Sequence, residues 1–133
     1  MALTADTPRA YELGDIGAYP VLASTKIYEG AAVGLSSGYA RGLVDGDRFV
    51  GFAIEQADNS AVAVNGAIDV KVRTKGKMLV TLASVAVTDV GSKVYVSDDG
   101  TFSLTASPGE LVGHVYRYVT TDTCVIEFYQ TAA

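Results

Sequence analysis

Short runs of alternating apolar and polar residues, separated by glycines, follow one another from residue 19 onward. Such alternation places one side of a strand against a core and the other side in water. No window keeps a 3.6-residue period beyond two turns. The pattern therefore predicts an all-β fold, a small β-barrel or β-sandwich, with strands at 25–29, 31–35, 39–43, 49–55, 67–74, 77–87, 93–97, 101–104, 111–119 and 124–129.

The clearest alternation predicts which side chains form the core. Within segment 68–73 the apolar residues share one face and the charged residues share the other. Turn signals separate the strands at Asp45-Gly46, Asn65-Gly66, Lys75-Gly76 and Asp99-Gly100. The side chains expected to face the core in the later strands are those of Val94, Val96, Cys124, Ile126 and Phe128.

Two strands are apolar on both sides, at 49–55 and 111–119. In the second strand, strict alternation places Leu111, Val115 and Val119 on one face. Such a strand is either central in a two-layer core or packed on another subunit. Burial within the monomer is the simpler interpretation, and a subunit interface is the alternative. The side chains on the opposite face of the second strand are those of Val112, His114, Tyr116 and Tyr118.

The chain also contains a weak two-copy repeat. The segment GAAVGLSS begins at Gly30, and GSKVYVSD begins at Gly91, an offset of 61 residues. Phe49-Val50-Gly51 then matches Leu111-Val112-Gly113 at an offset of 62. Each copy is predicted to be a hairpin followed by a returning strand. Two copies indicate a pseudo-symmetric β unit, since a solenoid needs at least three repeats.

Residues 1–18 show neither the helical nor the strand period. Pro8, Gly14 and Gly17 interrupt this segment, and its apolar residues are scattered. We predict an extended N-terminal arm over 1–18, followed by a single β-domain over 19–133. A frayed terminus is the alternative. The apolar side chains of the arm, which would suit a segment that orders on a partner's surface, include Tyr11, Leu13 and Ile16.

Composition narrows the range of functions. The net charge is −5, and basic residues number ten against fifteen acidic ones, so direct nucleic-acid binding is not expected. The longest uncharged apolar stretch, 78–88, is far shorter than the ~20 residues that span a bilayer. No signal peptide is visible at the N-terminus. The sequence thus predicts a soluble protein made in the cytoplasm, with no membrane partner.

Candidate catalytic chemistry is sparse. His114 is the one histidine and Cys124 the one cysteine. A Cys–His dyad would need both side chains within hydrogen-bonding reach of each other, and no family signature surrounds either residue. Aspartates in Asp-Gly turns are favoured there for their own hydrogen bonding, and the calcium-loop spacing of an EF-hand is absent. We predict that the protein is not an enzyme and has no metal or cofactor.

Four of the ten basic residues cluster in the segment KVRTKGK: Lys71, Arg73, Lys75 and Lys77. Alternation places Lys71 and Arg73 on one face, with the other two lysines near the turn. The cluster could meet acidic groups of a partner and steer assembly. The alternative is a solvated hairpin whose lysines discourage edge-to-edge aggregation.

Three segments carry a family resemblance: GSKVYVSDDGTFSLTAS, LVGHVYRYV and CVIEF, with YEGAAVGLSSGYARGL and FVGFAIEQAD as the other half of the pattern. They resemble bacteriophage capsid decoration (cement) proteins, which show a "G-x-x-V-Y-V-S-x-x-G" hairpin, a later "V-G" strand and a closing β-strand. The resemblance covers roughly residues 25–129 and rests on glycine and valine spacing. It implies β-domains, often trimeric, that sit on the exterior of an expanded capsid and bridge major capsid subunits.

On this resemblance we expect a non-enzymatic structural virion protein, a homotrimer whose partner is the major capsid protein. The expected capsid contacts are Arg9, Tyr11, Leu13, Ile16, Lys71 and Arg73. The expected subunit interface is His114, Tyr116 and Tyr118. Alternatives from other classes are a ligand- or carbohydrate-binding β-module on a virion surface and another head or tail component.

Overall fold

The computed structural model describes residue 2, residues 4–6, residue 8 and residues 14–130. The strands in this part of the chain are β1 (Ile16–Pro20), β2 (Lys26–Ile27), β3 (Ala32–Ser36), β4 (Tyr39–Gly42), β5 (Arg48–Ala53), β6 (Ala57–Asp58), β7 (Asp69–Arg73), β8 (Lys75–Thr81), β9 (Lys93–Val96), β10 (Phe102–Ser103), β11 (Glu110–Thr120) and β12 (Thr123–Tyr129). A 3₁₀ turn occupies Val87–Asp89. The predicted all-β fold is confirmed, and curled sheets give the protein the form of a half-barrel.

The strands form two five-stranded antiparallel sheets and a short ribbon. The N-terminal sheet has the order β1-β7-β5-β3-β4, and the C-terminal sheet has the order β10-β9-β11-β12-β8. The ribbon pairs β2 with β6. No helix in the described part of the chain is long and apolar enough to cross a membrane.

The two sheets share one topology. The strands of each sheet can be numbered in chain order, leaving out the two ribbon strands. From one edge to the other, both sheets then have the order first, fifth, fourth, second, third. The segments that repeat in sequence lie on equivalent strands, β3–β5 in one sheet and β9–β11 in the other. The two halves of the domain thus have the same strand order.

The repeated Val-Gly pair forms the same β-bulge in both sheets. Opposite β3, Val50 is the extra residue between paired Phe49 and Gly51. Opposite β9, Val112 stands in the same way between Leu111 and Gly113. A methyl group on either glycine would overlap a carbonyl oxygen of the next strand, that of Arg73 or of Glu127, and Gly51 also has a φ of +148°. The repeat therefore encodes a bulge with close strand approach.

The buried side chains form two clusters. The N-core lies on the inner face of the N-terminal sheet, beneath the ribbon, and includes Val33, Val50, Val70 and Val72. The shared core lies between the outer face of the N-terminal sheet and the inner face of the C-terminal sheet. Its members are Ala32, Leu43, Phe49, Phe52, Val80, Leu82, Val85, Val94, Val96, Val112, Val115, Cys124, Ile126 and Phe128.

Most predicted core positions are confirmed. Val94, Val96, Cys124, Ile126 and Phe128 are all at most 1 % exposed. The strand 49–55 is buried on both faces over residues 49–53, as the monomer interpretation expects, because Phe49 and Phe52 enter the shared core while Val50 and Ala53 enter the N-core.

Other expectations differ from the structure. The strand predicted over 77–87 ends at Thr81, where the chain turns toward the 3₁₀ segment. Residues 16–18, assigned to the arm, form the start of β1 and pair with β7. Gly76 lies within β8 opposite Phe128 rather than in a turn. Neither β1 nor the two-residue β6 was predicted, because their sequences lack a clear alternation.

Strict alternation is also wrong for β11. Bulges interrupt this strand at three places, so its side chains change face along its length. Val112 is buried together with Val115, on the face opposite His114. Tyr118 pairs with Cys124 and therefore faces the inner side of the sheet, away from His114.

Candidate functional site

Three of the expected capsid contacts lie together at one edge of the N-terminal sheet. Ile16 pairs directly with Arg73, and Ala18 pairs with Lys71. Paired residues of antiparallel strands share a face, so Ile16, Lys71 and Arg73 point the same way, opposite to Val70. Ile16 is 57 % exposed although it is apolar. With Asp15, these three residues form a surface that we call the edge patch.

Hydrogen bonds fix the start of β1 within the edge patch. Arg73 Nη1 lies 2.6 Å from Asp15 Oδ2, and both groups are exposed. The Thr74 backbone N–H and hydroxyl both donate to the Asp15 carbonyl oxygen. The hydrogen bond from Arg73 lowers the pKa of the Asp15 carboxyl, so the carboxylate keeps its charge to a lower pH than an unpaired aspartate does. An exposed pair adds little stability, and its effect here is to set the direction in which the chain enters the sheet.

Two open grooves flank the chain where it enters β1. One, of about 470 Å³, runs beside Ile16, Tyr19 and Lys71. The other, of about 580 Å³, lies between Gly14 and the end of β12, with Phe128 and Tyr129 on its wall. Both grooves are open to solvent and lie next to residues of the edge patch.

The KVRTKGK cluster does not form a hairpin. Its first half belongs to β7 and its second half to β8, and these strands lie in different sheets. Lys71 and Arg73 lie on the N-terminal sheet, whereas Lys75 and Lys77 lie on the outer face of the C-terminal sheet, opposite Tyr129 and Glu127. The hairpin of the alternative interpretation is thus wrong, and the four basic residues, all exposed, are divided between two surfaces. The surfaces meet at a pocket of about 210 Å³ lined by Gly30, Phe52, Ala53, Ile54, Arg73, Lys77, Met78 and Phe128.

The structure divides the expected subunit interface. His114 and Tyr116 lie on the outer face of the C-terminal sheet, where Tyr116 is 45 % exposed. His114 Nε2 is 3.4 Å from Glu127 Oε1, and Lys77 Nζ sits 4.1 Å from the centre of the Tyr116 ring. Tyr118 is half-buried on the inner side. This outer face, rather than one stripe of β11, is the second candidate contact surface.

Sequence reasoning missed several members of the outer face. Strand pairing adds Leu79, Lys93, Arg117, Val125 and Tyr129 to it. Alternation within β8 and β12 places these side chains on one side of their own strand. It does not show which strands are neighbours, so the face was not recognisable as a unit.

The structure assembles no catalytic dyad from the two reactive residues. His114 lies on the outer face of the C-terminal sheet, and Cys124 lies in the shared core on the opposite face. Burial raises the pKa of the Cys124 thiol, which disfavours the nucleophilic thiolate. Among the residues that the structure describes, no group of three or more His, Cys, Asp or Glu side chains is arranged to hold a metal ion.

The other expected capsid contacts, Arg9, Tyr11 and Leu13, lie outside the described residues. The described segment 14–130 begins at Gly14, which lines the larger of the two grooves beside the edge patch. Comparison with family models, with curated proteins and with solved structures finds no match to this chain. The functional argument therefore rests on the geometry of the edge patch and of the outer face.

Proposed function

We propose that this chain is a structural virion protein that binds the outer surface of an expanded phage capsid and stabilises it by bridging major capsid subunits. The observation that carries the proposal is the edge patch. Residues singled out from two distant segments, Ile16 from the N-terminal arm and Lys71 and Arg73 from the basic cluster, lie on one exposed face beside the point where the chain enters the fold.

The composition of the edge patch suits a protein partner. An exposed isoleucine supplies apolar area, and Lys71 supplies a positive charge that no hydrogen bond or ion pair to a described residue is shown to neutralise. Arg73 already binds Asp15, so it would align the chain rather than recognise an acidic group. Apolar contact gives affinity, and the free lysine gives register and steering.

The proposed mechanism is geometric. The protein acts as a homo-oligomer, a trimer in the form expected from the family resemblance, with its second contact surface on the C-terminal sheet. Several weak shell contacts made together give a far higher avidity than each contact alone. Buried area added across a seam between capsid subunits resists separation of those subunits. Such binding needs no cofactor.

Co-sedimentation with expanded shells of the companion major capsid protein tests this proposal. The full chain is compared with a chain that begins at Gly14, because a cut after residue 18 would remove part of β1. We expect saturable binding by the full chain, weakened when residues 1–13 are removed. Absence of binding to both expanded and unexpanded shells would reject the proposal.

Charge reversal assigns the contact to the edge patch. Lys71→Glu should weaken shell binding about tenfold at low salt and less at high salt, because screening already removes part of the attraction. The matched control is Lys26→Glu, an exposed lysine of the ribbon with the same change of net charge. Equal loss in both variants would show a bulk charge effect and remove the edge patch from the proposal.

A further inference from the structure

The outer face of the C-terminal sheet is basic on an acidic chain. Four exposed cationic residues point from it, against the single carboxylate of Glu127. The face thus carries a net charge of +3. Because the whole chain has a net charge of −5, the rest of it carries −8. The cationic residues are Lys75, Lys77, Lys93 and Arg117.

The same face exposes apolar side chains. Leu79 is 63 % exposed, and Tyr116 and Tyr129 are also exposed on this face. Val125, paired with both Leu79 and Arg117, is half-buried between them. Tyrosine, arginine and aliphatic side chains on one face are the composition of a protein interface rather than of a solvated sheet.

A complementary acidic surface lies at one end of the same molecule. Three loops meet there, because the Gly46 N–H donates to Glu110 and the Gly109 N–H donates to Asp45, each at 3.0 Å. The turn after β9 joins them, with the Asp99 side chain against Gly42. We call this region the acidic loop end, and its carboxylates are Asp45, Asp98, Asp99 and Glu110.

We infer that the outer face of the C-terminal sheet binds the acidic loop end of a second copy of this chain. Pairing of two outer faces would set four cationic residues against four others, and like charges repel. A contact of the face with the acidic loop end brings opposite charges together. The contact is therefore head-to-tail, so each copy uses two different surfaces.

This inference deepens the homo-oligomer of the proposed function by naming the two surfaces that meet. It concerns the protein without a shell, so it stands or falls independently of shell binding. A head-to-tail contact closes into a ring when its rotation allows and otherwise grows as an open chain.

The outer face fits a protein partner better than a nucleic acid. Glu127 sits between Lys77 and His114 in one cross-strand row and would repel a phosphate backbone. Leu79 and Val125 offer aliphatic area, whereas stacking of bases needs open aromatic rings, and Lys77 already covers the ring of Tyr116. An acidic protein surface tolerates both features.

Sedimentation equilibrium of the full chain tests the inference. We expect self-association at about 50 mM salt that weakens about tenfold at about 500 mM salt, because the contact is electrostatic. Lys93→Glu and Arg117→Glu should each weaken it about tenfold at low salt. Lys26→Glu, which makes the same change in net charge on the other half of the molecule, should leave it unaltered.

Mixing two variants tests the head-to-tail arrangement. Lys93→Glu combined with Arg117→Glu disables the outer face, and the pair Asp45→Asn with Asp98→Asn disables the acidic loop end while keeping oxygen acceptors for the loop N–H groups. Each variant alone should be monomeric, and an equimolar mixture should form a dimer through the one intact contact.

Four outcomes would overturn the inference. They are a monomer at low salt up to about 100 μM, association that is indifferent to salt, no dimer in the mixture, and equal weakening by Lys26→Glu. Binding of a single-stranded oligonucleotide without self-association would show that the partner of the outer face is a nucleic acid and not a second copy of the chain. Shell binding by a strictly monomeric chain would uphold the proposed capsid contact and reject both the homo-oligomer and this inference.

Discussion

Strands β5 and β11 hold the same place in two sheets of the same topology, yet they are buried differently. Both carry the Val-Gly bulge, and the residue after each bulge glycine faces the first residue of the neighbouring strand, Ala32 for Phe52 and Lys93 for His114. Phe52 lies in the shared core, with its ring centre 4.8 Å from that of Phe128. His114 lies on the outer face of the C-terminal sheet, beside Glu127.

The difference shows that equivalent faces of the two sheets have different surroundings. The outer face of the N-terminal sheet fills the inner side of the C-terminal sheet and closes the shared core. Within the described residues, no strand covers the outer face of the C-terminal sheet, and its equivalent positions carry lysine and histidine instead of alanine and phenylalanine. The outer face of the N-terminal sheet is therefore buried in the shared core, whereas the outer face of the C-terminal sheet stays exposed.

The largest expected effect compares these two equivalent positions. Phe52→Ala removes a buried ring from the shared core and should lower the free energy of unfolding by about 3–5 kcal/mol. His114→Ala on the outer face should change it by less than about 1 kcal/mol. Urea unfolding followed by tyrosine fluorescence measures both. Similar losses would mean that the two outer faces are not used differently.

The two bulge glycines, in contrast, should lose similar amounts of stability on substitution. Gly51→Ala and Gly113→Ala each force a methyl group against a backbone carbonyl, so each should destabilise the fold by about 2–3 kcal/mol. Gly100→Ala is the control, because a methyl group there meets nothing within 4 Å. A bulge variant as stable as the control would show that the shared bulge is incidental.

Two ion pairs sharpen the comparison between core and edge. Asp47 is buried, receives two hydrogen bonds from Arg41 and accepts a third from the Val44 N–H. Asp47→Ala should therefore cost about 2 kcal/mol, since it leaves these donors without their acceptor. Asp15→Ala removes only the exposed partner of Arg73, and thermal unfolding should show no measurable change.

The last prediction concerns the thiol of the shared core. Cys124 is fully buried and its raised pKa disfavours the thiolate, so a thiol reagent at neutral pH should label the native protein only through unfolding. Its labelling rate should rise in Phe52→Ala and stay unaltered in His114→Ala. Fast labelling of the native chain would place the sulfur nearer the surface than the fold allows.

The sequence predicts the core because burial follows alternation wherever a strand is regular. Val70, Val72, Ile126 and Phe128 all lie where the pattern places them. The pattern fails at bulges, where one extra residue reverses the face of all that follow, as Val112 and Tyr118 show. A bulge is fixed by the register of a neighbouring strand, which alternation along one strand does not contain.

The candidate surfaces were predicted only in part for the same reason. The sequence marks Ile16 and the pair Lys71 and Arg73 for separate reasons, and only the pairing of β1 with β7 brings them together. Lys75 and Lys77 are close to Lys71 in sequence but belong to another sheet, because the chain crosses between sheets at Thr74. Charge spacing cannot reveal such a crossing.

Hydrogen–deuterium exchange of the free and shell-bound protein tests the proposed shell contact most directly. The account predicts that expanded shells slow exchange in β1 and in β7, next to the edge patch, while exchange in the already buried β3 stays unaltered. Protection spread evenly over the domain, or confined to strands far from the edge patch, would contradict the proposal that this edge grips the shell.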